Sequence, residues 1–349
     1  MHYIKYYMTN LHFYLNNTLL KPEFSFVLPK NKMIKLSSIN WTLSNNKINV
    51  NILIDKYNKQ LLLEGESFTD IHPELKFRIN FHKRHLPILK SQLQKCTRRS
   101  KIEIGIKTAI SMVLIEDKND NIRQIGLFEL LRRLTIIIIE DAVLSEVYTF
   151  LMWCMAVLSK GYTLNGYCIE KIIEAVKGIL SSGFKDPNAY NSSKKVNRID
   201  IMKLINNNIN YPEIISILFR SSYKGMDGDT NMLLISADTW ARRYKHKSET
   251  IKYIKLSYYL PIEKYEQLQK GEIQAESLDF HCTNIVERIK KYIEMDNKKM
   301  ENLIWQYESS ITDRINIKPE KVKNTEISKD WRSIKLIFQM ETKKLTYEL

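Results

Sequence analysis

LFELLRRLTIIIIEDAVLSEVYTFLMWCMAVLSKG, residues 127–161, admits two readings with different consequences for fold and function. Read as a strand, Ile136–Ile139 running into Glu140 and Asp141 looks like the magnesium-holding edge of a nucleotide-binding sheet. Read as a helix, the same stretch continues from LFELLRRL without a turn residue and consists largely of good helix formers. Leu127, Leu131, Leu134, Ile138 and Val143 then gather on one side, with Arg132, Arg133 and Glu140 on others. The helical reading prevails, because a Walker-type strand needs a phosphate cradle and no GxxxxGK followed by Ser or Thr occurs in the chain. The nearest approach, Gly105-Ile106-Lys107-Thr108, has Ile between Gly and Lys and Ser100 where the upstream glycine belongs. ATP hydrolysis by this chain alone is not expected. Arg133 and Glu140 lie two turns apart, so each is expected to pair with another helix, and Glu140 and Asp141 to be structural, since a buried carboxylate without a partner is costly.

Working outward, Leu86, Leu89, Leu93 and Cys96 recur at i, i+3, i+7 and i+10 and predict a helix from Pro87 onward. The following run VYTFLMWCMAVL is apolar on nearly all sides, which suits a helix at the centre of the fold. In a self-associating chain, Phe150, Met152, Trp153 and Met155 would instead serve as interface anchors. From Met1 to about residue 81 the runs FSFVLP, INWTLS, INVNILI, KQLLLEG and LKFRINF alternate with Pro, Gly and Asn clusters, the punctuation of strands and turns. Further helices are expected near 200–206, 212–220, 229–243, 249–259, 276–294 and 300–311, with Pro212 and Pro261 in first turns. The expectation is a mainly α protein with a bundle-like helical core and a small β-containing N-terminal region, α+β overall. The organisation reads as a β-rich region at 1–85, a helical domain at 86–185, a second helical region at 186–320 and a basic C-terminal segment at 321–349, with the polar loop around Pro187 as the best internal boundary.

The 349 residues include 54 Lys and Arg against 39 Asp and Glu, a formal net charge of +15. An excess of this size favours polyanions, nucleic acid above all and DNA over RNA. Lys, Ile and Asn are abundant throughout, so part of the excess follows amino-acid usage. The four cysteines, Cys96, Cys154, Cys168 and Cys282, are widely spaced without a CxxC pair, which argues for reduced thiols in helix interiors over a disulfide framework or zinc knuckle. MHYIKYYMTNLHFYL lacks the features of a secretory signal, and the longest uncharged apolar run, 147–159, is shorter than a bilayer needs, so an intracellular protein without membrane contact is expected.

Two basic stretches are candidate nucleic-acid contacts. The first holds Lys83, Arg84, Lys90, Lys95, Arg98, Arg99, Lys101 and Lys107 against the single acid Glu103; Lys95, Arg98 and Arg99 at i, i+3 and i+4 share a helix surface suited to a phosphate backbone, although such a stripe is often only a solvated face. The second, WARRYKHKSETIKYIKLSYY, interleaves Arg242, Arg243, Lys245 and Lys247 with Trp240 and Tyr244, an arrangement in which aromatics stack single-stranded bases or simply fill a core. Two polar loops are candidate metal sites: Asp227 and Asp229 in SSYKGMDGDTNML, and Asp279 and His281, beside Cys282, in LDFHCTNIVERI. Asp229 and Asp279 also suit helix caps; a divalent metal requires that the two loops meet. No cofactor is expected.

The order LQKCTRR, a second short helix, then ELLRRLTIIIIEDAVL resembles the C-terminal helical domain of RarA/MgsA-type replication-associated ATPases over residues 86–161. Lys95, Arg98, Arg99, Arg132, Arg133, Glu140 and Asp141 stand at the matching positions, while Ile139 replaces a serine and Ala142-Val143 replaces a Val/Ile-Gly pair. The resemblance implies a clamp-loader-like collar that self-associates or meets a replication-protein partner, without the ATPase module. Three functions follow: a non-catalytic nucleic-acid-associated factor for assembly or scaffolding in DNA replication, repair or packaging; a metal-dependent nucleic-acid hydrolase using Asp227, Asp229, Asp279 and His281; and a structural or virion protein whose charge is incidental.

Overall fold

The computed structural model describes residues 11–16, 21–25, 48–52, 59–64, 81–117, 120–159, 161–182, 184–186, 189, 199, 201–223, 227–246, 266–274, 277–278, 284–309 and 325–348. The runs INWTLS and residues 75–80 of LKFRINF, the helix expected at 249–259, Pro261, Asp279, His281 and Cys282 lie outside the described residues. The protein is mainly helical, with a small sheet near its start. The described residues fall into two compact units. One draws on Met1–Pro73, Val143–Cys168 and Pro187–Lys255, the other on Glu74–Ala142, Ile169–Asp186 and Leu256–Leu349. Each is thus assembled from three chain segments, where the sequence suggested contiguous regions.

In the first unit, β1 (Leu11–Asn16), β2 (Lys21–Ser25), β3 (Ile48–Ile52) and β4 (Lys59–Glu64) form a four-stranded sheet in the order β2-β1-β4-β3. β1 runs antiparallel to β2 and parallel to β4, and β3 runs antiparallel to β4. Pro22, which has no N–H to give a ladder, sits on the edge strand β2. Phe13 and Phe24 are register partners whose rings stack at 4.0 Å, and Phe13 meets Phe219 edge-on at 6.0 Å. Phe219 belongs to α7 (Pro212–Ser222), which opens on Pro212, as expected, and ends with Arg220 where the helix dipole favours a cation.

α4 (Val147–Leu158) is the unit's central helix: all twelve residues are buried, and it packs against the sheet and α7. Phe150, Met152, Trp153 and Met155 are therefore core residues of the single chain and cannot serve as interface anchors. The unit also contains α6 (Ile201–Asn207) and α8 (Asp227–Lys245), and α7 packs against both.

The second unit begins with α1 (Leu86–Arg98), α2 (Ile102–Val113) and α3 (Ile125–Asp141), which pack on one another. Leu86, Leu89, Leu93 and Cys96 are all buried, as their spacing predicted. α1 ends at Arg99; Ser100 takes a left-handed φ of 53°, and the Lys101 N–H returns to the Cys96 carbonyl at 2.9 Å. That bond closes a Schellman turn, with serine in the place glycine usually takes. The turn brings α2 back along α1. Two glycines set the packing distances. At Gly126 a Cβ would lie 1.9 Å from the Met112 carbonyl oxygen, so α3 starts against the end of α2 only because no side chain intervenes. At Gly105 the nearest atoms would be the Leu180 methyls at 2.6 and 2.8 Å, the movable end of a side chain from α5 (Gly166–Ser181).

The last part of this unit holds α9 (Ile285–Ile289), α10 (Asn297–Glu308) and α11 (Thr325–Glu348). These share a core of Ile285, Ile289, Met300, Leu303, Ile304, Trp331, Ile334 and Phe338. Trp331 stacks on Tyr307 at 4.9 Å. Within the segment expected to be basic from 321 on, Thr325–Glu348 is therefore an amphipathic helix with its own apolar stripe.

Candidate nucleic-acid interface

The first basic stretch is largely consumed inside the second unit. Lys83, leaving the short 3-10 turn Lys83–His85, is paired with Asp120 and lies 3.6 Å from Asp117. Lys90 reaches across to Glu129 of α3 at 2.6 Å. Burial pushes the Glu129 carboxyl up, but Lys90 and Arg132 together hold it below its ordinary range. Lys107 is ringed by Glu272, Glu103 and Glu266 at 2.9, 3.3 and 3.5 Å, and the hydrogen bond to Glu272 holds its ammonium well above the usual range. Lys101 donates to Gln274 at 3.2 Å. Together with Ser111 Oγ accepting from the Leu268 N–H and Gln92 accepting from the Gln274 N–H, these bonds fasten residues 267–274 onto α1 and α2.

The Lys95, Arg98 and Arg99 stripe is not an exposed surface. Lys95 is 4% and Arg98 6% exposed, and Arg99 is half-buried. Arg98 spends its guanidinium on three partners: Nε donates to Asp141 at 2.8 Å, Nη2 to Glu140 at 3.1 Å and Nη1 to the Ser309 carbonyl at 2.6 Å. Gln94 Nε2 donates to both carboxylates at 2.8 and 3.0 Å, and its Oε1 accepts from Arg133 at 3.0 Å. Glu140 and Asp141 thus have the structural role expected, with the arginine supplied by another helix. Burial and the adjacent Asp141 push the Glu140 carboxyl up, against the pull of Arg98. The spacing that put Lys95 and Arg98 on one face was right; both are buried, and Arg98 meets the acids of α3. Of the stretch, Lys83, Arg84 and Lys101 remain exposed.

The Walker-like alternatives fall with the same geometry. TIIIIED lies within α3, and Gly105–Thr108 lies within α2, where backbone N–H groups are committed to the helix. Asp227 and Asp229 occupy the first turn of α8, where the helix dipole stabilises acids. Among the described residues no group of three or more His, Cys, Asp and Glu side chains is placed to hold a metal.

The second basic stretch is described as far as His246, and its residues 240–245 form the last turns of α8 and divide there. Trp240 is buried with the Arg243 guanidinium 4.5 Å over its ring, so both belong to the core. Arg242 and Lys245 face the other way. Asp238, Ala241, Arg242 and Lys245 stand at i, i+3, i+4 and i+7 and form one wall of a recess of about 660 Å³. The opposite wall repeats the period: Leu204, Asn207, Asn208 and Tyr211 are the same steps apart along α6 and the turn that follows. Lys203 stands beside them. With three cations and one acid lining it, the recess carries a formal charge of +2, and Asp238 is paired with Arg242 at 3.2 Å. Tyr211 is held by stacking on Tyr244 at 4.4 Å, and Asn208 is fixed by donating to the Leu204 carbonyl at 2.8 Å.

No pattern in the sequence points to Lys203 and Tyr211. They lie some thirty or more positions from Arg242 on other elements, and nothing local connects them. Among the described residues no helix is long and apolar enough to cross a membrane. Compared with family models, with curated proteins and with solved structures, the chain matches none.

Proposed function

We propose that the chain is a non-catalytic nucleic-acid-associated factor that holds the phosphates of a polynucleotide at the recess between α6 and the end of α8. The observation that carries this reading is the convergence of Lys203, Arg242 and Lys245, from two separate helices, on one concave surface with a single acid. Cations gathered in a hollow act together on a polyanion, and the counterions displaced from the strand supply the driving force. The net charge of +15 adds long-range attraction of the same sign. The resemblance of residues 86–161 to a replication-associated collar domain supports a setting of assembly or scaffolding in DNA replication, repair or packaging.

The test is fluorescence anisotropy of a labelled oligonucleotide titrated with the full chain at several salt concentrations. Charge reversal of Lys203, Arg242 and Lys245 together is expected to weaken binding and to flatten its salt dependence. Each phosphate left without its cation takes about 0.7 off the log–log slope on a single strand, so the slope falls by roughly 2. All three side chains are exposed, so the fold tolerates the change. An unchanged slope overturns the reading.

A further inference from the structure

The recess is more than a patch of charge. Its volume of about 660 Å³ lies within the roughly 300–1,000 Å³ range of pockets that engulf a small molecule or one unit of a larger one. Its lining is also divided. Leu204, Ala241 and Tyr211 supply apolar and aromatic surface, while Lys203, Arg242 and Lys245 supply the cations. A site for free phosphate has no use for the first group, and a site for an apolar ligand has no use for the second.

We infer that this recess takes one splayed nucleotide of a single-stranded polynucleotide, the base against Leu204, Ala241 and Tyr211 and the flanking phosphates on Lys203, Arg242 and Lys245. The inference rests on the reading of the recess as a polynucleotide site and names the strand it selects. A duplex keeps its bases stacked inside and presents a convex backbone, so it can offer phosphates to the rim but no base to the hollow. A single strand turns a base out at little cost, and base–aromatic stacking is tolerant of sequence because every base has a π-face. Tyr211 is suited to this role because its ring is already fixed by Tyr244, which lowers the ordering required when a base arrives. The apolar floor is built in because Leu204 and Ala241 occupy the facing i+3/i+4 stripes of the two walls. Asp238, paired with Arg242, disfavours a second phosphate at that end of the recess.

The experiment uses three labelled probes of equal length and charge per strand: oligothymidylate, an oligomer of abasic nucleotides, and a blunt duplex. The full chain is expected to bind oligothymidylate tightest, and the abasic oligomer and the duplex more weakly. Tyr211→Ala should weaken oligothymidylate binding by roughly 5- to 140-fold, the span expected for removing one base–aromatic stack, and leave the abasic oligomer unchanged. Tyr211→Phe should restore it. Ala241→Leu, which fills the hollow and keeps every cation, should act like Tyr211→Ala and guards against a folding defect at position 211. Equal affinity for all three probes, with Tyr211→Ala and Ala241→Leu neutral, overturns the nucleotide slot and leaves the electrostatic reading standing. Failure of every probe to bind overturns both.

Discussion

Replacing Arg98 by Met removes the guanidinium that bridges the buried Asp141 and the half-buried Glu140 and keeps much of the side-chain volume. The variant loses a 2.8 Å bond to Asp141, a 3.1 Å bond to Glu140 and a 2.6 Å bond to the Ser309 carbonyl. Individually such charge-assisted bonds contribute about 1.5–3 kcal/mol, but they share one guanidinium and do not add. The better guide is the cost of breaking a buried ion pair from one side, about 3–5 kcal/mol, since Asp141 is fully buried and loses the guanidinium that faces it. With a urea m-value of about 2–3 kcal/mol/M, the unfolding midpoint should fall by roughly 1–2.5 M. Circular dichroism follows the transition, and amide hydrogen exchange in α1 and α3 locates the loss. The pH dependence checks the cause. Glu140 is already raised, and without Arg98 it rises further; a carboxyl raised in the folded state penalises folding above its pKa, and that penalty lifts as pH falls. The gap between parent and variant should therefore narrow as pH falls from neutrality. A loss below about 1 kcal/mol, or a gap that does not change with pH, would refute the account of this network.

Two further outcomes follow. Gly126→Ala should destabilise by at least the roughly 1–3 kcal/mol typical of overpacking, because the added carbon meets backbone at 1.9 Å, whereas Gly105→Ala should cost less because the Leu180 methyls can move; thermal unfolding of the two variants side by side tests the order. His85 is buried, and burial together with Arg84 and Lys270 pushes its imidazole down to about 4, so the folded protein holds it neutral where the unfolded chain would charge it. Stability should accordingly fall by something on the order of 2 kcal/mol as pH drops from above 6.5 to about 4, and a His85 C–H resonance titrating near 6.5 would contradict this.

The helix over Ile125–Asp141 was legible because propensity and the absence of a turn outweighed the strand-like look of four isoleucines. The pairing of Glu140 with an arginine from elsewhere was legible from the cost of burying a carboxylate, but the identity of Arg98 was not. Spacing tells which residues share a face, not what that face meets, and so the Lys95, Arg98 and Arg99 stripe read as a surface. β3 and β4 were visible as punctuated apolar runs, and FSFVLP touched the end of β2. LHFYLN of β1 lay within an unpunctuated aromatic run, and its parallel pairing with β4 joins residues fifty positions apart. α11 hid behind its own charges, although Trp331, Ile334 and Phe338 at i, i+3 and i+7 carried a helical period. At the recess, Arg242 and Lys245 were readable, whereas the wall facing them came from a helix some forty residues upstream.

The dispersed make-up of the second unit also dictates an order of events during synthesis. Its first segment ends at Ala142 and its last begins at Leu256, a separation of 114 positions. At about 5–20 residues per second, α1, α2 and α3 emerge roughly 6–23 s before the last segment begins to appear, and longer still before Ser309 and the residues fastened by Lys107. Through that interval the Arg98 guanidinium lacks its third acceptor and Lys107 lacks Glu272, while every segment of the first unit leaves the ribosome before the second unit can close. The later-maturing half, although begun early, is the one whose apolar surfaces wait longest in the company of chaperones.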